Sequence, residues 1–249
     1  MCGMVGYAGA QAQSALDVVL AGLGGLEQAD GGSRGSAGVV VLSDGCLATA
    51  GATGPLAALH DELARRPLPL GGSAVGQLRC ASGPCGAPGP AAGPPAAQPS
   101  LDAAGRGAVV YQGTLDNGAE LRAALAGRGH RLASGTDSEV VAHLLAEAFS
   151  SCVDLGEALR QVSRVLVGRF AVIAVHADEP ETVAGVQRGL PLFAGVGDGE
   201  SFLASHAEAL DGRVREVVEL RGDDLALLRR ESDEVRCEVT DAGGSVVRA

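Results

Sequence analysis

Apolar positions along this 249-residue chain follow a helical period in some blocks and form short β-like runs in others. From Ala12 to Gln28, Leu16, Val19, Leu20 and Leu23 form a helical stripe, and glycines at 22, 24 and 25 weaken its far end. Val39-Val40-Val41-Leu42, the turn residues Ser43-Asp44-Gly45, and Cys46 to Ala50 predict a hairpin. Pro55 to Arg65 places a proline at the start of a helix with one apolar face. Val109-Val110-Tyr111 predicts a short buried strand, and Asn117 to Ala126 a helix. Thr136-Asp137-Ser138-Glu139 supplies capping residues ahead of Val140, Val141, Leu144, Leu145 and Ala148. Leu155 to Val167 predicts another strong helix. From Phe170 onward the pattern changes to short β runs at 170–176, 182–187, 192–196, 201–205, 215–220, 224–228 and 235–239. Even spacing with turn residues between them predicts antiparallel sheet. Strands at both ends with helices between fit an α+β fold, its sheets stacked face to face under helices.

Gly83 to Pro99 breaks the pattern. It is almost entirely Pro, Gly and Ala and holds six of the 11 prolines, so it is neither helix nor central strand. The expectation is a long exposed loop, inserted into one core or acting as a lid.

Composition narrows the function classes. A chain of this length can bury a full core. No apolar run of about 18 residues predicts a membrane span, and the N-terminus lacks the pattern of a secretory signal. A cytoplasmic protein is therefore expected. A net charge of −11 without a basic patch argues against nucleic acid. All 19 basic residues are arginine, which excludes lysine-dependent phosphate loops and Schiff-base or pyridoxal-phosphate chemistry. The six cysteines form no C-x-x-C pair and have no histidine at ligand spacing, so no metal and no cofactor is expected. Cys80 and Cys85 could pair, but reduced thiols are the expectation without a signal sequence.

The chain opens Met1-Cys2-Gly3-Met4-Val5-Gly6-Tyr7. A small second residue favours removal of the initiator methionine, which would leave Cys2 with its own α-amine beside its thiol. That amine has an unperturbed pKa of roughly 7.7–8.0, so near neutral pH it can serve as a general base. One residue then carries both nucleophile and base, which suits covalent catalysis on an amide. Glycines on either side of Met4-Val5 suggest a strand that a ligand approaches closely.

With this start, several segments in order resemble the glutaminase domain of class II, N-terminal-nucleophile glutamine amidotransferases. The likeness is strongest to that of glucosamine-6-phosphate synthase. The segments are Ser36 to Leu42, Asn117 to Arg122, Arg128-Gly129-His130, Thr136 to Val140, Arg188 to Leu192 and Phe202 to Ser205. The resemblance covers nearly the whole chain. It implies a four-layer αββα sandwich of the Ntn-hydrolase type, formed by residues 2–249 as a single domain. It also implies that no isomerase domain follows within this sequence.

The resemblance also implies site roles. Leu78-Arg79-Cys80-Ala81-Ser82-Gly83 matches the family's carboxylate-binding loop. Arg79 would clamp the substrate α-carboxylate, and Ser82 would keep a hydroxyl contact. Cys80 and Gly83 stand where the family has tryptophan and histidine. Tyr111-Gln112-Gly113 matches a His-Asn-Gly oxyanion segment, with Gln112 one methylene longer than asparagine and Gly113 still offering its N–H. Asp137 matches the acid that holds the substrate α-amine, and it is also placed to cap a helix. The implied activity is hydrolysis of L-glutamine through a Cys2 thioester by a stand-alone domain, the ammonia passing to a separate synthase or acceptor. Two alternatives stay open: an amidohydrolase acting on another γ-glutamyl or acyl amide, and a non-catalytic homologue.

Overall fold

The structure, a computed structural model, describes residues 2–9, 14–29, 35–79, 99–231 and 234–248. The chain begins with strand β1 (Gly3–Gly9) and helix α1 (Ala15–Ala29). The hairpin β2 (Ser36–Ser43) and β3 (Cys46–Thr53) leads to α2 (Leu56–Arg65) and β4 (Ser73–Arg79). After a two-residue β5 (Ser100–Leu101) comes β6 (Gly107–Leu115), then helices α3 (Gly118–Gly127), α4 (Asp137–Cys152) and α5 (Leu155–Val165). The remainder is β: β7 (Gly168–His176), β8 (Thr182–Arg188), β9 (Phe193–Val196), β10 (Glu200–Ala204), β11 (Glu216–Glu219), β12 (Leu225–Glu231), β13 (Glu234–Thr240) and β14 (Val246–Arg248). One 3₁₀ turn at Ala207–Leu210 interrupts it.

The strands form two seven-stranded sheets, in the orders β11-β9-β10-β1-β4-β2-β3 and β14-β13-β12-β8-β7-β6-β5. The strand pairs within both sheets are antiparallel. Alternation sends successive side chains to opposite faces. Met4 and Ala8 of β1, Val75 of β4, and Ala108 and Val110 of β6 pack in a shared layer between the sheets. Val5, Tyr7, Ala74 and Leu78 face α1 and α2 on the outside of the first sheet. Val109 and Tyr111 face α4 and α5 on the outside of the second. Three hydrophobic layers between four structural layers make an αββα sandwich, as expected. Burial on both faces explains why β2 reads as an unbroken apolar run.

Several boundaries differ from expectation. The α1 glycines do not end the helix, which runs to Ala29. A Cβ at Gly22 would lie 3.2 Å from a Val5 methyl, so the bare glycine lets α1 settle closely onto β1. Glu139 does not form a capping box with Thr136, whose side chain makes no cap bond. Its carboxylate instead accepts from the N–H groups of Ala133 at 2.6 Å and Ser134 at 2.9 Å. The cap at α5 is Asp154, which accepts from Glu157 N–H at 2.7 Å. The strand β4, central in its sheet, has no counterpart in the pattern reading. Of the expected loop at 83–99, residues 83–98 lie outside the described residues, as do Cys80 and Cys85.

Candidate active site

Cys2 stands at the mouth of β1 and is only 3 % exposed. It lies two residues before Met4, and strand alternation turns both toward the inter-sheet layer. Gly3 pairs with Leu78 of β4, so Cys2 and Arg79 immediately adjoin the end of that paired segment. Arg79 follows Val75 at even spacing, so it shares the inner face. On the next strand Ser36 pairs with Arg79, and its buried hydroxyl has no hydrogen-bond partner among the described residues.

The other flank of β1 is fixed by β10. Met4 N–H donates to Ser205 Oγ at 3.0 Å, and Ser205 N–H returns a bond to the Met4 carbonyl at 3.1 Å. Ser205 Oγ also lies 2.8 Å from His206 Nδ1. Burial pushes His206 below the usual histidine range, against the opposing pull of Glu208. A neutral imidazole is therefore held close to the chain's first residues.

The facing sheet brings Gln112 and Gly113 on β6. Gln112 follows Val110 at even spacing and shares the inner face. Its Oε1 is buried and has no hydrogen-bond partner among the described residues. A buried amide oxygen left in this way costs about 1–3 kcal/mol, a cost that a bound ligand can relieve. Gly113 has φ +129°, and a Cβ there would fall 2.1 Å from the Arg169 carbonyl of β7. Only glycine fits. The two sheets are tied at this level by Gln77 of β4. Its side-chain amide donates to the Tyr111 carbonyl and accepts from Tyr111 N–H at 3.3 Å.

Asp137 comes from a different layer. It is the first residue of α4, not its cap, and its Oδ2 accepts from Leu115 N–H at 3.1 Å, at the end of β6. A Cβ on Gly118 would come within 2.8 Å of Oδ1, so a glycine makes room for the carboxylate. Arg122 fixes the approach to α4 by donating to the carbonyls of Ser134 at 2.7 Å and Thr136 at 2.8 Å. Glu139 holds the same turn from the other side. Burial, followed by Asp137 and Asp116, pushes the Tyr111 phenol up, so its hydroxyl stays neutral beside these acids.

Of the expected site residues, then, Cys2 and Arg79 are register neighbours on one sheet. Gln112 and Gly113 sit on the other, and Asp137 closes the end of β6. Ser82 lies outside the described residues. Pattern reading missed Gln77, Arg122, Glu139 and the Ser205–His206 pair. Arg122 and Ser205 lay in segments that resemble the family without a role of their own, and Glu139, three residues after Thr136, pointed to a cap. Among the described residues no group of three His, Cys, Asp or Glu side chains could hold a metal ion. No helix among them is long and apolar enough to cross a membrane.

Residues 92–212 match the glutamine amidotransferase domain family. The glutamine–fructose-6-phosphate aminotransferase (isomerizing) of Streptomyces coelicolor is 51% identical over 253 residues, covering 100% of this chain and 38% of that protein. This chain belongs to the glutamine amidotransferase family. The aminotransferase of the same name from Thermus thermophilus is 40% identical over 250 residues, again covering 100% of this chain and 38% of that protein. This chain thus spans about two fifths of the length of these relatives. Among solved structures, the glutamine phosphoribosylpyrophosphate amidotransferase of B. subtilis superposes with a TM-score of 0.75 at 22% identity, over 95% of this chain and 49% of that one. A glutamine aminotransferase class-II domain protein from Silicibacter pomeroyi superposes with a TM-score of 0.59 at 14% identity, over 95% and 98% of the two chains. These likenesses establish that the amidotransferase domain has the stacked-sheet fold of that class.

Proposed function

We propose that residues 2–249 act as one glutaminase unit that hydrolyses L-glutamine to glutamate and ammonia. The observation that carries this is the placement of Cys2 beside Arg79 on the inner face of one sheet, with Gln112 on the facing sheet. In the proposed reaction, removal of Met1 exposes the Cys2 α-amine, which takes the thiol proton as sulfur attacks the side-chain amide carbon. The tetrahedral oxyanion is met by Gly113 N–H and the Gln112 amide. Its collapse expels ammonia and leaves a Cys2 thioester, which water then hydrolyses to glutamate. Arg79 takes the substrate α-carboxylate, Asp137 the α-amine, and Ser82 supplies a further hydroxyl contact. The released ammonia passes to a separate synthase site. The relatives named for glutamine and fructose 6-phosphate favour a sugar phosphate as the acceptor.

Intact mass after exposure to a glutamine-mimicking electrophile should show one adduct on Cys2 in protein that has lost Met1. Glutamate release should vanish in Cys2→Ala. Retention of Met1 in most of the protein, or equal glutamate release by Cys2→Ala, would remove the thioester reading. Cleavage of another γ-glutamyl amide with no turnover of glutamine would assign the site to a different amidohydrolase.

A further inference from the structure

The Gln77 amide spans from one sheet to the backbone of the other. It is 1 % exposed and makes a two-point contact with a single residue, donating to the Tyr111 carbonyl and accepting from Tyr111 N–H at 3.3 Å. Its position is what matters. Gln77 lies two residues before Arg79 on the same face of β4, and Tyr111 directly precedes Gln112 and Gly113 on β6. Among the described residues, β5 pairs only with Ala108 and Val109 of β6. At Tyr111 the Gln77 side chain therefore supplies the bonds that a continued neighbouring strand would give. The clustered side chains between the sheets are apolar, and such packing is non-directional and resists sliding weakly. On another strand Gln187 of β8 adds a single-bond tie, donating to the Leu220 carbonyl at 3.0 Å. Hydrogen bonds to both polar groups of one peptide residue fix direction and register.

We propose that Gln77 is a positioning residue for this active site, locking the half that carries Cys2 and Arg79 to the half that carries the oxyanion donors Gln112 and Gly113. The inference rests on the site reading above. Gln77 touches no reacting atom. Its effect is exerted through Tyr111, whose peptide sets where the next two residues present their N–H groups. A displacement of about 1 Å between nucleophile and oxyanion donors can cost on the order of a hundredfold in rate. Arg79 and Asp137 would hold the substrate by charge contacts, which tolerate a small displacement better than oxyanion geometry does, so turnover should suffer more than affinity.

Two variants test this on the full chain. Gln77→Leu keeps the bulk and removes both bonds. Gln77→Glu places a carboxylate against the Tyr111 carbonyl when ionised. Once protonated it regains one donor and one acceptor, the pair that the amide offers. Each is measured for kcat and KM with glutamine, for thermal unfolding, and for the rate of Cys2 alkylation by iodoacetamide, which needs no oxyanion donor. The expected result for Gln77→Leu is a ten- to hundredfold fall in kcat, with KM and alkylation within threefold of the parent. For Gln77→Glu, the ratio of its kcat to the parent's should rise as pH falls. An unchanged kcat in Gln77→Leu overturns the inference. So does a parallel loss of kcat, alkylation and melting temperature in both variants with no pH-dependent recovery, which would make Gln77 merely structural. Gln112→Ala is measured alongside. If it too leaves kcat unchanged, the oxyanion reading itself has failed and the inference falls with it; if only Gln112→Ala lowers kcat, the site reading stands and the Gln77 inference alone is wrong.

Discussion

At the scale of single residues, backbone conformation and side-chain length decide different things. Gly113 cannot be replaced because its φ of +129° and the Arg169 carbonyl leave no place for a Cβ. Gly113→Ala should cost on the order of 1–3 kcal/mol from the backbone conformation alone, with the clash added. It should lower turnover and melting temperature together, whereas an alanine that leaves both unchanged would show that β6 and β7 part easily here. Gln112 is a matter of reach. Its amide carries the same donor as asparagine on a longer arm, and its buried oxygen has no protein partner among the described residues. Donors aimed at an oxyanion typically contribute about 2.7–4 kcal/mol. Gln112→Asn should therefore raise turnover, through a shorter and better organised donor, and Gln112→Ala should lower it. Equal steady-state rates for all three would take Gln112 out of the reaction. In the roles proposed for them, Arg79→Ala and Asp137→Ala should each remove a charge-assisted contact, typically about 1.5–3 kcal/mol, or roughly ten- to a hundredfold in glutamine affinity. Competition by amides lacking the α-carboxylate should be unaffected by Arg79→Ala.

At the scale of elements, α4 carries both a site residue and an acid-sensitive cluster. His143 is buried on α4, with Nδ1 2.9 Å from His130 Nδ1, and His130 Nε2 lies 2.8 Å from Glu147. Arg128 makes two bonds of 2.8 Å to the same carboxylate. Burial, then His130, holds His143 below its ordinary 6.5, with Glu139 and Asp102 pulling upward and Arg122 downward. The unfolded chain therefore binds more protons than the folded one as pH falls through about 6.5. This contribution is complete above that pH and declines below it. Glu147, held below its ordinary 4.5 chiefly by its hydrogen bonds from Arg128, with a smaller pull from His130 and against burial, keeps its contribution above that value and loses it as pH falls through the folded pKa. Both act in the same direction. The melting temperature should drop between pH 7 and 5.5, and His143→Gln should flatten that slope. Parallel slopes for parent and variant would show that the cluster does not govern acid stability. Because Asp137 opens this helix, acid loosening should also weaken glutamine binding.

At the scale of the whole molecule, function depends on how closely the sheets approach. At Gly6 of β1 a Cβ would meet an Ile173 methyl of β7 at 2.9 Å and a Val183 methyl of β8 at 3.2 Å. The missing side chain lets the first sheet lie down on the second only four residues from Cys2. Gly6→Val should prise the layers apart at a cost of about 1–3 kcal/mol, and turnover should fall as the oxyanion donors move away from the thiol. Ile173→Ala alone opens a cavity costing roughly 2–5 kcal/mol. Combined with Gly6→Val, it supplies the needed room. The double variant should be more stable than the sum of the single effects, because the two sites share one space. Strict additivity in denaturant unfolding would mean that the sheets do not meet there as described.

Much of this was legible in the residues themselves. The β2–β3 hairpin, α2, α4, α5 and the late antiparallel strands follow from periodicity and turn chemistry, which act over a few neighbouring residues. Cys2 stood out because the reactivity proposed for it depends on its place in the chain. The strand β4 did not, because Ser-Ala-Val-Gly-Gln-Leu-Arg lacks the long apolar run of a buried strand. Gly76 is there because Val19 and Leu23 of α1 press on it, a constraint from another element. Arg79 was visible only through resemblance, and its place next to Cys2 only through the β1–β4 register. Thr136 and Glu139 fit a capping box by spacing, yet the Ala133 and Ser134 amides claimed the carboxylate. Gln77 and Tyr111, 34 residues apart, carry no mark of one another in sequence. Local free energy sets which segments become helix or strand, so the chain determined those by itself. Which polar groups meet across the sheets is settled by long-range burial, where each amide must find a partner, and that only the tertiary structure decided.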